Sequence, residues 1–148
     1  MKKEYGNTMR EKPIYYSIPI IILMPILVII LVFVCKLFFG LQVVSESWLN
    51  KLFHFLGGMS ISISTAGVLW HFQYQRKIVL SDTKVFWFLV FGFLCFIIIS
   101  WEIMEYIFVF PYYPKYVTYP DTINDIIYGL TGGLIAVFLV FSSNKCNN

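Results

Sequence analysis

The side chains of this sequence that can carry chemistry fall in three short groups: His54 alone, Glu102 with Glu105, and Asp121 with Asp125. Four carboxylates and an imidazole are a donor set for a divalent cation. Oxygen-rich ligation suits Mg²⁺, Ca²⁺ or Mn²⁺, and mixed His and carboxylate ligation suits Zn²⁺ or Fe. A metal held there can activate water, with a neighbouring carboxylate as general base. Spacing favours convergence: Glu102 and Glu105 at i, i+3 share one helical face, and Asp121 and Asp125 at i, i+4 share another. The sequence has no HExxH, no nucleophilic Ser-His-Asp order and no glycine-rich phosphate loop, and ExxE alone does not identify a metal.

Each group also has a plainer reading. Asp121 follows Pro120 and fits a helix N-cap, while Asp125 in a first turn suits the helix dipole. Glu102 and Glu105 can be a hydrogen-bonded or salt-bridged structural pair, and His54 a packing residue. His71, beside Trp70, reads as interfacial. Glu46 and Lys51 read as solvated, with Lys51 or Lys115 available to neutralise a carboxylate.

Composition defines the elements that must position these groups. The chain has 148 residues, 59% of them hydrophobic and 13% charged, with a mean hydropathy of +0.76. This is far more apolar than a soluble domain. The expectation is an all-α, polytopic membrane protein with four transmembrane helices, forming one domain over residues 1–148 with no separate soluble domain. A lipid-spanning helix needs about 20 apolar residues, and four such runs are found at about 18–39, 48–72, 85–110 and 121–141. The basic N-terminus followed by an apolar run resembles a signal peptide, but the run is too long and lacks a small-residue cleavage site. An uncleaved first span is expected.

The first span carries Pro19 and Pro25 and little that is polar before Lys36. The second, with His54, Gly57, Gly58, Ser60, Ser62, Ser64 and Thr65, has the composition of a helix buried among helices. Segment 111–120 holds three prolines and four tyrosines, and a loop is expected there. If span three ends near Phe110, Glu102 lies about 12 Å along the helix from that end. An ionisable group at that depth usually faces a partner or a wet cavity.

Below Asp125 the same face continues as Gly129 and Gly133, with Gly132 beside them; below His54 it continues as Gly58, Ser62 and Ala66. These small-residue stripes allow close helix approach and would draw spans two and four together. Lys2, Lys3, Arg10, Lys12, Arg76, Lys77, Lys84 and Lys145 fall on one side of a four-span topology, and Lys36, Lys51 and Lys115 on the other. Positive loops stay inside, so both termini are expected to be cytoplasmic and the acids to lie at the extracytoplasmic ends of spans two to four. Trp48 and Tyr112, Tyr113, Tyr116 and Tyr119 would form an outer aromatic belt, with Trp70, Tyr74 and Trp87 at the inner one. Cys35, Cys95 and Cys146 are too scattered for a disulfide framework or a zinc knuckle. No basic run with interleaved aromatics points to nucleic acid.

The string His54-Phe-Leu-Gly57-Gly58, then Trp101-Glu102-Ile-Met-Glu105, then Asp121-Thr-Ile-Asn-Asp125, then Gly129 and Gly132-Gly133 resembles small bacterial inner-membrane proteins of the YjdF type. More distantly it is similar to the VanZ-like family. The resemblance covers roughly residues 48–140 and implies a bacterial plasma membrane; it supplies no reaction. The functional expectation is an acidic, His-containing site binding a cation or an envelope ligand. Its metal-binding residues would be His54, Glu102, Glu105, Asp121 and Asp125, and Gly58, Ser62, Gly129, Gly132 and Gly133 would pack the helices. Two alternatives stand beside it: a metal-dependent membrane hydrolase acting on a lipid-linked or phosphate-containing substrate, and an accessory protein bound to a membrane partner. The bilayer is the expected surrounding, and the small-residue faces also permit a homo-oligomer.

Overall fold

With no water in the bilayer core, backbone N–H and C=O groups must be satisfied within the chain, and helices do this locally. The computed structural model describes residues 18–40, 48–80, 82–112, 114 and 118–145, without the side chains of 18–20 and 140–145. It contains four helices in chain order: α1 (Ile18–Phe39), α2 (Trp48–Tyr74), α3 (Thr83–Phe108) and α4 (Tyr119–Lys145). All four are long and apolar enough to cross a membrane. The protein is thus an all-α, multi-pass four-helix chain. Expectations placed on Lys2, Lys3, Arg10, Lys12, Glu46, Tyr113, Lys115, Tyr116 and Cys146 lie outside the described residues.

Helix ends follow local chemistry. Asp82 caps α3, its carboxylate accepting from the Lys84 backbone N–H at 2.8 Å. The start of α4 differs from the expectation that Asp121 is the N-cap. The helix begins at Tyr119, with the Thr118 carbonyl accepting from the Thr122 N–H at 3.0 Å, and Asp121 lies inside the first turn. Pro120 is tolerated there because first-turn N–H groups have no intrahelical partner to lose. α2 ends in a Schellman turn: the Arg76 N–H bonds to the Gln73 carbonyl and the Lys77 N–H to the Phe72 carbonyl, with Arg76 left-handed at φ 55°.

The α2–α4 contact is the most extensive in the bundle; α3 packs on both helices, and α1 packs on α2. Bare backbone makes the α2–α4 approach close. A Cβ on Gly58 would run into the Gly129 carbonyl oxygen, and one on Gly132 into the Phe55 carbonyl oxygen. Gly133 instead faces Leu94 of α3 and Ser62 of α2, whereas the space beside Gly57 is open. The two small-residue stripes therefore meet each other within this chain. At the far end from the acids, Ala66, Phe86 and Val90 form a core, with Leu69, Trp70, Leu80, Trp87 and Val137 packed against it. Trp70 stacks on Phe86 at 5.4 Å, and Trp87 meets Phe86 edge-on at 5.0 Å. These two tryptophans are half-buried, each within about one turn of a helix end. Trp48, Tyr74, Tyr112 and Tyr119 are exposed.

α1 is the least embedded helix: among its described side chains only Ile21 is buried. Its attachment has a specific cause. Pro25 lacks an N–H, which leaves the carbonyl four residues earlier, that of Ile21, without its helical donor. The Ser64 hydroxyl of α2 donates to that carbonyl at 2.6 Å, so the proline gap in one helix is closed by the next.

Candidate metal centre

The first two turns of α2 carry Asn50 and His54, four residues apart on one face. The last turns of α3 carry Glu102 and Glu105, and the first turns of α4 carry Asp121 and Asp125. The close α2–α4 contact and the packing of α3 across both place these helix ends together. Because α3 ends at Phe108, Glu102 lies about 9 Å along the helix from its end.

His54, Glu102, Glu105 and Asp125 each offer one donor atom, and these atoms all lie within 4.8 Å of one another. The ring of His54 sits between two acids. Its Nδ1 is 3.7 Å from Glu102 Oε1, and its Nε2 is 3.3 Å from Asp125 Oδ2. The Asp125 side chain is 2% exposed and that of Glu102 is 7% exposed. Asp125 Oδ2 also accepts from Asn50 Nδ2 at 3.0 Å. Asp125 Oδ1 and Glu102 Oε1 are buried with no hydrogen-bond partner. A buried polar atom left without a partner costs about 1–3 kcal/mol, and more if charged, so two in one cluster call for a cation or water.

Asp121, expected with the others, is not in this group. It lies half-buried in the first turn of α4, where it acts electrostatically on Glu102, Glu105 and Asp125 and is attracted by Lys51. Lys51 also attracts Asp125, and its ammonium lies 5.8 Å from the centre of the Tyr128 ring. Lys36, from the end of α1, attracts Glu105, whose carboxylate has the Trp101 side chain as a hydrogen-bond partner.

Sequence reasoning missed Asn50 and the part taken by Lys36. Asn50 precedes His54 by one helical turn, so a face-by-face reading of span two could have found it. Lys36 depends on the docking of α1, which no local pattern records. Asn50 fixes which oxygen of Asp125 stays free, and partners of this kind are worth about 10–100-fold in metal affinity. Asn50→Ala is therefore expected to weaken metal binding by that range in a competitive chelator titration. An unchanged affinity would remove Asn50 from this role.

No protein-family model, no curated protein and no solved structure matches this chain.

Proposed function

We propose that this membrane protein binds a divalent first-row transition metal at the extracytoplasmic ends of α2, α3 and α4, in a bacterial plasma membrane with both termini cytoplasmic. The observation that carries the reading is the convergence of four donor atoms within 4.8 Å, two of the side chains bearing buried oxygens that nothing else satisfies. With metal–ligand bonds of about 2.0–2.2 Å, the donors around a tetrahedral ion stand about 3.3–3.6 Å apart. The widest separation in the group therefore has to close by up to about 1.5 Å, which side-chain rotation can supply. An imidazole among carboxylates favours Zn²⁺, Fe²⁺ or Mn²⁺ over Ca²⁺, which takes 6–8 oxygens.

The ring of His54 supports the same reading. A ligating histidine commonly gives its second N–H to a carboxylate, and here Nε2 faces Asp125 Oδ2 while Nδ1 faces Glu102. Ion binding would also offset charge, since three ionised carboxylates exceed what one imidazole can balance. The remainder falls to Lys36 and Lys51.

Access is expected from the acidic end. The apolar core of Ala66, Phe86 and Val90 closes the other half of the bundle, which favours a binding site over a conduit. Orientation rests on the basic residues of the α2–α3 connection, Arg76, Lys77 and Lys84, and the bacterial membrane on the resemblance to small inner-membrane proteins. Right-side-out vesicles test ion and orientation together. About one metal equivalent per chain is expected, removed by an impermeant chelator added outside. Protein that retains no Zn²⁺, Mn²⁺ or Fe²⁺ after loading would overturn the metal, and stripping only after permeabilisation would overturn the outward site.

A further inference from the structure

A groove of about 270 Å³ lies at the opposite end of the bundle, between the start of α1 and the end of α2. Its lining is mostly apolar, with Ile22, Val68 and Phe72 over the buried Ile21 and Gly67, and His71, Gln75 and Lys77 also line it. The gradient has a simple origin. Gly67 and Val68 belong to the body of a membrane-spanning helix, whereas Gln75 and Lys77 lie just past its last turn at Tyr74. A ligand filling the groove would have one greasy end in the bilayer and one polar end at its surface.

The charge at the mouth is one-sided. Lys77 stands with its ammonium 5.7 Å from the centre of the Phe72 ring, Arg76 adds a cation on the same connection, and Lys84 adds one in the first turn of α3. Among the described residues the one carboxylate on this connection is Asp82, and it is engaged in capping α3. We infer that the groove between α1 and α2 is a site for one anionic phospholipid, its acyl chain along Ile22, Val68 and Phe72 and its phosphate at Lys77, with Arg76 next to Lys77 in the turn as a second cation.

The backbone of Arg76 adds an independent argument. It occupies the left-handed position of the Schellman turn, where glycine is the usual residue and a side chain costs about 1 kcal/mol. Replacing it with glycine should therefore strengthen the turn while removing a cation. Stability and lipid preference are thus expected to move in opposite directions, which a merely structural arginine would not produce. The site is separate from the metal centre and does not depend on it.

The test uses the full chain in neutral detergent, with bound lipid read by native mass spectrometry. Phosphatidylglycerol is compared with phosphatidylcholine of the same acyl chains, and glycerol phosphate is added as a headgroup without chains. Juxtamembrane cations are worth about five-fold each in anionic-lipid affinity, so Lys77 and Arg76 together predict a preference of about 25-fold for phosphatidylglycerol. Lys77→Gln should lower that preference about five-fold. Arg76→Gly should lower it similarly while raising the melting temperature of the lipid-free protein. Should Lys77→Gln fail to fold, Arg76→Gly carries the test alone. Equal retention of the two lipids, an unchanged preference in the folded variants, or displacement by glycerol phosphate as effective as that by the whole lipid would each overturn the proposal.

Discussion

Asp125→Asn and Glu102→Gln are each expected to abolish metal retention, lowering affinity by more than the roughly 100-fold upper range of a supporting hydrogen bond, while the helical bundle stays folded. Both changes keep side-chain volume and remove a charge, so packing against His54 is preserved. The sign of the stability change is the sharper part of the expectation. An ion at 100 times its dissociation constant stabilises the folded state by about 2.7 kcal/mol, and the variants should lose this metal-dependent gain in melting temperature. Without metal the order should reverse. Two side chains 2% and 7% exposed, on helices that also bring Glu105 and Asp121 close, put carboxylates together with no ion to offset them, and neutralising one relieves that repulsion. Metal-free variants should therefore melt at or above metal-free wild type. Affinity in wild type should fall as pH is lowered, because protons compete for the same oxygens and ring nitrogen. Thermal unfolding with and without Zn²⁺ checks all three points, and variants that bind metal like wild type would remove these carboxylates from the centre.

The second large effect concerns bare backbone. Gly58→Ala and Gly132→Ala each add a methyl group where the structure has a carbonyl oxygen of the facing helix, that of Gly129 and of Phe55 respectively. A flexible side chain could move aside, but main chain moves only if the helices part. Each substitution is expected to cost about 3 kcal/mol, the upper end for overpacking, and to weaken metal binding as well, because parting α2 from α4 withdraws His54 and Asn50 from Asp125. Gly57→Ala is the internal control. Nothing lies within 4 Å of a Cβ there, and the helix should gain up to about 1 kcal/mol from replacing glycine. Reversible unfolding in mixed detergent measures the three side by side; Gly58→Ala as stable as Gly57→Ala would show that the helices do not approach as described.

The same contacts explain how much was legible in advance. Four helices followed from apolar run lengths, and placing Glu102, Asp125 and His54 at one depth needed only span boundaries. The partner of each glycine could not be read. The motif pointed to Gly129 and Gly133 as one stripe, and a Cβ at either would meet α3 first, at Ile98 and Leu94, with α2 beside it; Gly132, read only as a neighbour, is the one that faces the α2 backbone at Phe55. α4 starts two residues before the expected Asp121, because Pro120, read with the loop, is compatible with a first helical turn. The distance of Trp70 and Trp87 from the span ends says nothing of the Phe86 ring that both pack against. The first span is similar: its near-uniform apolarity records neither the place of Lys36 at the acidic end nor the carbonyl freed by Pro25 that Ser64 reaches.

That carbonyl bears on biosynthesis. A chain emerging N-terminus first delivers α1 to the bilayer before α2 exists, and at that stage the Ile21 oxygen has no donor from either Pro25 or Ser64. An unsatisfied backbone group in hydrocarbon costs several kcal/mol, so the newly inserted helix is incomplete until α2 follows it. The proline thereby gives the first helix a specific reason to pair with the second, which brings the donor that α1 alone lacks.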